Sequence, residues 1–347
     1  MNADRRPVIV SAARTAIGEY MKGLAPMSAT QLGALAVREV VRRAGIEPDH
    51  VDEVILGNVV SSGLGQAPAR QAAIHGGIPP SKGAITINKV CGSGLKAVVL
   101  ASQAIRLADA DVVVAGGMES MSNVPYYLTK ARSGYRMGNG ALVDGMIFDG
   151  LWDSFHNFHM GMAAEKTAEI SSISREEQDR YACESHEKAV AAAKAGKFND
   201  EIFAVAIPQR KGDPVLFDSD ERPRADATVE SLGKLRPAFK KDGTVTAGNA
   251  PGLNDGAAAV LVMAESKARE LGVKPMARIE SYAVGGRDPE MVFYAPIDAV
   301  RKLLERTGRA IGDYELIEIN EAFAVQVLAD GKELGWDWKR VNVNGGA

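Results

Sequence analysis

The chain has 347 residues, 46% hydrophobic and 24% charged, a composition typical of globular proteins with enough apolar material for about two or three packed units. Its 41 basic and 44 acidic side chains give a net charge of -3 without long runs of like charge, which argues against a nucleic-acid or membrane partner. Only Cys91 and Cys183 are cysteines, so a disulfide framework has no support and a cytoplasmic location is expected.

The start of the chain alternates short β-branched runs with longer helical patterns. A short polar leader comes first, and no stretch of about 18 consecutive apolar residues follows, which argues against a signal peptide and a membrane span. The predicted strands are Val8–Val10, Val54–Leu56, Ile85–Ile87 and Val112–Ala115, and the predicted helices are Ala29–Arg43, a stretch around Arg70, and Leu95–Ala108. This alternation predicts an α/β sheet covered by helices on both faces.

The far end of the chain repeats part of this order. Residues 36–45 and 299–308 share apolar spacing and a terminal glycine, a reasonable helix C-cap. Each is followed by a strand-like segment that ends on asparagine, 51–58 and 313–320. We interpret this as internal duplication, although a chance match is the alternative.

The duplication carries an expectation about length. The first copy continues through a strand into Cys91, a helix and a further strand ending near Gly117, whereas the second copy reaches only a matching strand, Val341–Asn344. A half-sheet cut there would leave an unpaired edge. We therefore expect a helix and at least one strand to be missing from the second copy.

Between the copies, the composition becomes richer in Gly, Tyr, Met and Asp and predicts a long loop region with its own helices. Ser174 followed by Glu177 is a capping-box pattern that predicts a helix through Tyr181 to Ala195, ended by Gly196. Such an insertion is a natural place for substrate contacts.

Cys91 lies where a predicted strand turns through glycines into a predicted helix. Backbone N–H groups at a helix start are expected to lower the pKa of its thiol below the usual value of about 8.5 and to hold the oxyanion formed when a thioester is attacked. Gly92 and Gly94 are expected to permit the turn. A space-filling cysteine is the alternative, and the flanking glycines favour a nucleophile.

Cys183 and the histidines receive different interpretations. Cys183 lies inside an amphipathic helical pattern and is interpreted as packing. His156 and His159 have no further ligands nearby at suitable spacing, so we expect no metal site. His159, beside the adaptable side chains of Met160 and Met162, is either a pocket residue or plain packing, and both interpretations stay open.

Asn320 and Glu321 follow a predicted strand, Leu316–Ile319, and the carboxyl end of a strand is where sites form in open α/β sheets. A helix N-cap asparagine with a first-turn glutamate is the alternative. The glycine-rich segments 246–256 and 63–68 complete neither a P-loop nor a dinucleotide fingerprint, which disfavours nucleotide hydrolysis and nicotinamide chemistry.

Several segments together resemble the thiolase family, from Val8 to Ala347. They are 11–18, 90–97, 115–122, 159–162, 235–239, 246–249, 320–324 and 342–347. Residues 126–153 are similar in particular to the biosynthetic acetoacetyl-coenzyme A thiolases of that family.

The resemblance implies the thiolase fold, with two similar halves in a five-layered α-β-α-β-α arrangement and an inserted loop domain. It assigns 1–118 to the N-terminal half, 119–250 to the loop domain, whose last part returns to that half, and 251–347 to a C-terminal half that is cut short. It further implies an acyltransferase of fatty acid metabolism that reversibly condenses two acetyl-coenzyme A molecules into acetoacetyl-coenzyme A. No tightly bound cofactor is expected, and the assembly would be a homodimer or homotetramer.

The resemblance also assigns site residues. Cys91 would be the nucleophile that accepts the acyl group as a thioester, and Asn320 would position a water in an oxyanion hole. The residues it places along coenzyme A and the acyl pocket are His159, Met160, Arg224, Ser231, Phe239, Ala247, Pro251, Ala322 and Phe323.

Some family features are replaced or missing. A Gly-His-Pro motif that activates the nucleophile and a Cys-x-Gly-Gly-Gly motif that moves the substrate α-proton do not occur in these 347 residues, so we expect this chain to be poorly active by itself. Pro251 replaces a serine that contacts coenzyme A, and residues 292–296 replace a Met-Gly-x-Gly-Pro loop with larger rings. Substrate choice therefore stays open.

Three alternative functions remain. One is a 3-ketoacyl-coenzyme A thiolase of broader chain length, and another is a non-catalytic acyl-coenzyme A-binding protein. The third is a ketoacyl synthase that decarboxylates a malonyl unit, against which the segments 159–161 and 320–323 argue.

Overall fold

The computed structural model describes residues 5–346 of the chain. Its strands are β1 (Pro7–Thr15), β2 (Gly18–Glu19), β3 (Glu53–Gly57), β4 (Gly83–Ile87), β5 (Val112–Ser120), β6 (Tyr126–Tyr127), β7 (Val143–Asp144), β8 (Trp152–Asp153), β9 (Phe158–His159), β10 (Ile202–Phe203), β11 (Val205–Ile207), β12 (Val215–Phe217), β13 (Asn254–Ala264) and β14 (Ala277–Arg278). Its α-helices are α1 (Ala29–Ala44), α2 (Pro68–His75), α3 (Ser93–Leu107), α4 (Met160–Ser171), α5 (Arg175–Lys194), α6 (Val229–Gly233), α7 (Glu265–Glu270), α8 (Ala295–Thr307) and α9 (Ala324–Leu334).

The described residues form two compact units that are interleaved along the chain. The first unit holds the residues up to Gly150 together with Asn199–Glu221 and Leu253–Glu280, and the second unit holds Leu151–Phe198, Arg222–Gly252 and the residues from Ser281 onward. These units do not follow the predicted boundaries at 118 and 250, since β13 lies beyond residue 250 and belongs to the sheet of the first unit. The division into two halves and a loop domain stays a prediction.

The first unit is built on a mixed sheet with the strand order β10-β1-β13-β5-β3-β4. β3 pairs in parallel with both β4 and β5, whereas β13 runs antiparallel to β1 and β5. The parallel part follows from the predicted strand-helix-strand order, because a crossover helix returns the chain to the same end of the sheet. The carboxyl ends of β3 and β5 therefore meet at one edge.

Successive residues of the central strands are buried on opposite faces of this sheet. On β3, Val54 and Leu56 pack with α1 and α2, whereas Ile55 packs with Ala101 and Ile105 of α3. The predicted α/β sheet covered on both faces is confirmed. The segment Val90–Leu107 is long and apolar enough, by composition alone, to cross a membrane, and here it contains this sheet-packed helix.

Helix ends follow the predicted capping signals. α1 ends at Gly45, whose φ of 67° is left-handed. α5 begins after Ser174, whose hydroxyl accepts from the Glu177 amide while the Glu177 carboxylate accepts from the Ser174 amide, so the predicted capping box is confirmed. Cys183 is buried within α5, which confirms its interpretation as packing.

The two copies of the predicted repeat begin alike and then differ. α8 ends at Gly308 with a φ of 66°, matching the end of α1, and a short 3₁₀ helix follows each. The predicted strands Leu316–Ile319 and Val341–Asn344 are not regular strands, since a single parallel bridge joins Ile317 to Val341. Regular pairing stops at Asn342, because its backbone is left-handed, with a φ of 42°. Its side chain takes the place of a backbone partner: Oδ1 accepts from the Ile319 N–H, and Nδ2 donates to the Ile319 carbonyl.

Candidate active site

Cys91 lies between β4 and α3 in a turn closed by hydrogen bonds, as the sequence predicts. The amides of Gly92 and Ser93 donate to the carbonyl oxygens of Lys89 and Val90, each at 3.1 Å. The buried Ser93 hydroxyl donates to the Val90 carbonyl at 2.6 Å and accepts from the Lys89 amide at 2.8 Å. Ser93 therefore fixes both residues before the cysteine.

The residue that bends this turn is Val90 rather than a glycine. Its φ of 47° is left-handed, a conformation that costs a β-branched residue about 1–3 kcal/mol. Gly92 has a φ of -85°, so the expectation that it supplies a glycine-specific turn is wrong. The glycine that matters is Gly57 on β3, where a Cβ would lie 2.5 Å from the Ser93 Cβ and prevent α3 from packing there.

The pKa of the Cys91 thiol is raised rather than lowered, which corrects the prediction from its helix-start position. Burial of the sulfur raises this pKa, and the hydrogen bond from the Cys91 amide opposes that effect. The amides of Gly92 and Ser93 are already bonded within the turn. Cys91 is therefore a thiol at neutral pH, and a base must remove its proton as the sulfur attacks.

Cys91 lines a cavity of about 340 Å³ at the carboxyl ends of β3 and β5. Asn58 and Glu119 stand at these strand ends, and the Asn58 amide donates to the Glu119 carboxylate at 2.7 Å. Burial raises the pKa of the Glu119 carboxyl. The side-chain oxygen of Asn58, Oδ1, is buried and has no hydrogen-bond partner within residues 5–346. Neither residue was predicted as a site residue, although their positions at strand ends were a usable signal.

In the second unit, His159 caps α4 and stacks on Phe239 with ring centroids 4.8 Å apart. The Gly161 amide donates to His159 Nδ1 at 3.0 Å, so the neutral ring carries its proton on Nε2. Burial lowers the pKa of His159 and favours this neutral form. His159 therefore presents a neutral N–H donor beside an aromatic wall.

Several predicted pocket residues gather around this histidine. Phe239 packs edge-on against Phe323 at 6.4 Å, and Met160 and Ala322 lie in the same apolar cluster. Phe293, from the segment that departs from the family pattern, packs edge-on against Phe323 at 5.3 Å. The resemblance placed the larger rings of this segment near the expected pocket, and Phe293 accordingly contacts a predicted pocket residue.

Asn320 is exposed in the loop before α9. The N-cap of α9 is Phe323, so the alternative of Asn320 as a helix cap is wrong. Its neighbour Glu321 accepts hydrogen bonds from Tyr181, Ser185 and Asn342, three residues that were not predicted as site residues.

The other predicted contacts lie elsewhere on the second unit. Arg224 is exposed, and its amide donates to His186 Nδ1 at 3.3 Å. The Ser231 hydroxyl belongs to the capping box that begins α6. Pro251 lines a narrow cavity of about 50 Å³ together with His186 and Glu321, and Ala247 is exposed in the turn that precedes it.

His156 and His159 have different surroundings. Within residues 5–346, one group of three potential metal ligands has its ligand atoms within 4.8 Å of one another, and it consists of His156, Asp288 and Glu290. The Lys166 ammonium forms an ion pair with Glu290 and so competes with a cation at this position. His159 is not a member of this group.

The sequence matches two family profiles that together cover nearly the whole chain. One is described as the N-terminal domain of thiolase and matches residues 7–266, and the other as the C-terminal domain of thiolase and matches residues 273–347. The chain belongs to the thiolase family. This thiolase is 56% identical over 340 residues to an acetyl-CoA acetyltransferase of Pseudomonas aeruginosa and 55% identical over 340 residues to one of Cupriavidus necator. Each alignment covers 98% of this thiolase and 86% of the relative.

A solved structure gives the same result for the fold. The crystal structure of the acetyl-CoA acetyltransferase of Bacillus anthracis matches this thiolase with a TM-score of 0.97 and 44% sequence identity, covering 100% of this chain and 87% of that one. The predicted family and the predicted thiolase fold are confirmed.

Proposed function

We propose that this thiolase is an acetyl-coenzyme A acetyltransferase that reversibly joins two acetyl-coenzyme A molecules into acetoacetyl-coenzyme A and free coenzyme A. The observation that carries the proposal is the 56% identity, over 98% of the chain, to a relative named for this activity. The thiol of Cys91, which lines the cavity at the carboxyl ends of β3 and β5, supplies the nucleophile that such a reaction needs.

In the first step, Cys91 takes the acetyl group. Its sulfur attacks the thioester carbonyl, the bond from that carbonyl to the coenzyme A sulfur breaks, and the thiol proton passes through a base to the departing sulfur. Burial raises the pKa of Cys91, so proton removal has to accompany attack. The hydrogen-bonded turn fixed by Ser93 keeps the sulfur in one position for this attack.

In the second step, a second acetyl-coenzyme A loses an α-proton to a base, and its carbanion attacks the acetyl group on Cys91. The new carbon-carbon bond forms as the Cys91 sulfur leaves. The family assigns proton transfer to a histidine and a second cysteine in two motifs that do not occur in these 347 residues. Asn320 would position a water that stabilises negative charge on the thioester oxygen.

Four predicted pocket residues share one apolar cluster, namely Met160, Phe239, Ala322 and Phe323. His159 adds a neutral N–H donor beside them. Together these five residues would line the pantetheine and acyl part of the substrate. Four further residues would contact coenzyme A, and all of them are exposed: Arg224, Ser231, Ala247 and Pro251. The coenzyme A thioester is substrate, and no tightly bound cofactor is proposed.

We further propose a cytoplasmic homodimer or homotetramer. β4 ends the sheet of the first unit, and its Ile85 is 47% exposed. An edge strand with exposed apolar side chains favours pairing with another chain. Sedimentation of the purified protein across a concentration series would report the assembly.

The test is acetyl transfer to Cys91. The protein is incubated with acetyl-coenzyme A, and its peptides are searched by mass spectrometry for an acetyl group. We expect acetyl on Cys91 and slow formation of acetoacetyl-coenzyme A, because the two proton-transfer motifs do not occur in these 347 residues. Both products should be abolished in Cys91→Ser and retained in the matched control Cys183→Ser, because Cys183 is buried in packing. Coenzyme A binding without any thioester would instead identify a non-catalytic binding protein, and preference for longer acyl chains would identify the broader thiolase. Transfer from malonyl thioesters with loss of carbon dioxide would identify a ketoacyl synthase.

A further inference from the structure

The Glu321 carboxylate joins three separate parts of the second unit. Its Oε1 accepts from Tyr181 Oη at 2.7 Å and from Asn342 Nδ2 at 2.8 Å, and its Oε2 accepts from Ser185 Oγ at 2.7 Å. Tyr181 and Ser185 lie on α5. We name these four residues, Glu321, Tyr181, Ser185 and Asn342, the Glu321 cluster. An ionised carboxylate only accepts hydrogen bonds, so three donors suit it well.

Asn342 connects this cluster to the residue before Asn320. Its Oδ1 accepts from the Ile319 amide at 2.9 Å, and its Nδ2 donates to the Ile319 carbonyl at 3.0 Å. Asn342 is 2% exposed, so these bonds are shielded from water. The backbone on the N-terminal side of Asn320 is thus held by Asn342.

The backbone on the C-terminal side of Asn320 is also held by hydrogen bonds. Glu321 is fixed by its three donors, and the Ala322 amide donates to Gln326 Oε1 at 3.1 Å. Asn320 itself is exposed between these fixed neighbours. Its backbone is therefore ordered on both sides while its side chain stays accessible.

Gly346 packs so closely against the Glu321 carboxylate that a methyl group added at Gly346 would displace the carboxylate. The Gly346 amide donates to Ser185 Oγ at 3.1 Å, and a Cβ on Gly346 would lie 2.0 Å from the Glu321 carboxyl carbon. No side chain fits there unless Glu321 moves. The glycine is therefore required by close approach rather than by flexibility.

We infer that Glu321 is a positioning residue for Asn320, holding the loop so that the Asn320 amide is in place before substrate binds. The inference rests on the proposed function, in which Asn320 positions the water of an oxyanion hole. Misplacement of such a group by about 1 Å costs on the order of 100-fold in rate. Substrate binding is affected less, because the interaction is made mainly in the transition state.

The experiment is a double-mutant cycle in the full chain, measured as acetoacetyl-coenzyme A formation. Glu321→Gln and Asn320→Ala are each expected to lower kcat by about 10- to 100-fold and to change KM for acetyl-coenzyme A by less than about 3-fold. The double variant is expected to be no slower than Asn320→Ala alone. Once the Asn320 amide has been removed, displacing the loop that positions it has no further effect on kcat. Losses that multiply in the double variant, or an unchanged kcat in Glu321→Gln, would overturn the inference.

Matched variants distinguish a loss of positioning from a loss of folded protein. Gly346→Ala is expected to reproduce the kcat loss of Glu321→Gln. Gly286→Ala is its control, because a Cβ there meets no described atom within 4 Å. Glu315→Gln changes an exposed glutamate of the same segment and is expected to keep full kcat. A kcat loss in Glu321→Gln that only follows its folded fraction, measured by circular dichroism at the assay temperature, would contradict positioning.

The proposed function is checked separately by the wild-type protein. Cys91 acetylation in Glu321→Gln is expected to stay within about 3-fold of wild type, because Asn320 acts in the condensation step. If wild type forms no acetoacetyl-coenzyme A, the proposed function fails and this inference fails with it. If wild type is active and Glu321→Gln is equally active, only the inference about Glu321 fails.

Discussion

The Ser93 hydroxyl donates to the Val90 carbonyl at 2.6 Å and so holds a left-handed valine directly before Cys91. Ser93→Ala removes this bond and leaves the Lys89 amide without its acceptor. We expect a loss of about 1–3 kcal/mol in unfolding free energy and Cys91 acetylation slowed by about 10-fold. Denaturant titration and the acetylation time course measure the two effects. Ser102→Ala, at a buried serine further along α3, is expected to leave acetylation unchanged, and equal slowing in both variants would contradict a role for the turn.

The raised pKa of Cys91 predicts how its reactivity depends on pH. Because burial raises this pKa, the thiolate fraction at any given pH is smaller than for free cysteine, whose pKa is about 8.5. Iodoacetamide labelling of the substrate-free protein should therefore reach half its maximal rate above that pH. Peptide mass spectrometry follows the label, and acetyl-coenzyme A should protect the site. Cys183 is buried and should stay unlabelled while the protein is folded. A midpoint below that of free cysteine would restore the prediction made from the helix start.

Gly161 lies against the face of Phe239, where a Cβ would be 2.2 Å from the nearest ring atom. Gly161→Ala therefore has to displace Phe239 and the His159 ring stacked on it. We expect KM for acetyl-coenzyme A to rise by about 10-fold, since overpacking of this size costs about 1–3 kcal/mol. Steady-state kinetics measure this change. Gly312→Ala is the control, because a Cβ at that position meets no described atom within 4 Å, and an unchanged KM in Gly161→Ala would exclude this aromatic wall from the substrate site.

Asp330 on α9 is fully buried, and burial raises the pKa of its carboxyl to about 7. In the unfolded chain the group ionises near pH 4, so the folded state binds one more proton between that pH and about 7. Unfolding free energy should therefore fall as pH rises through this range, by up to about 4 kcal/mol, and level off above it.

Asp330→Asn removes the titrating group and should remove this part of the pH dependence. Urea unfolding of both proteins at several pH values between 4 and 8 measures it. Asp213→Asn, at an exposed aspartate, should retain the wild-type slope. An identical slope in Asp330→Asn and wild type would show that this carboxyl does not titrate as described.

Local signals explain what could be predicted from the sequence. The helix starts and ends at Ser174, Gly45 and Gly308 depend on neighbouring residues, so they were found correctly. The strands Leu316–Ile319 and Val341–Asn344 were predicted from the internal repeat and do not form beyond a single bridge, because the Asn342 side chain takes the place of backbone pairing at Ile319. The repeat pattern does not reveal a side-chain bond between residues so far apart in the chain.

The amino-acid sequence by itself determined the α/β class, the thiolase family and the position of Cys91 between a strand and a helix, because hydrophobic period, capping residues and family motifs are all properties of short segments. Only the tertiary structure decided that Val90 bends the turn, that the pKa of Cys91 rises, and that the Glu321 carboxylate accepts hydrogen bonds from distant residues. These features arise from burial and from contacts between distant residues, and both exist only once the chain has folded.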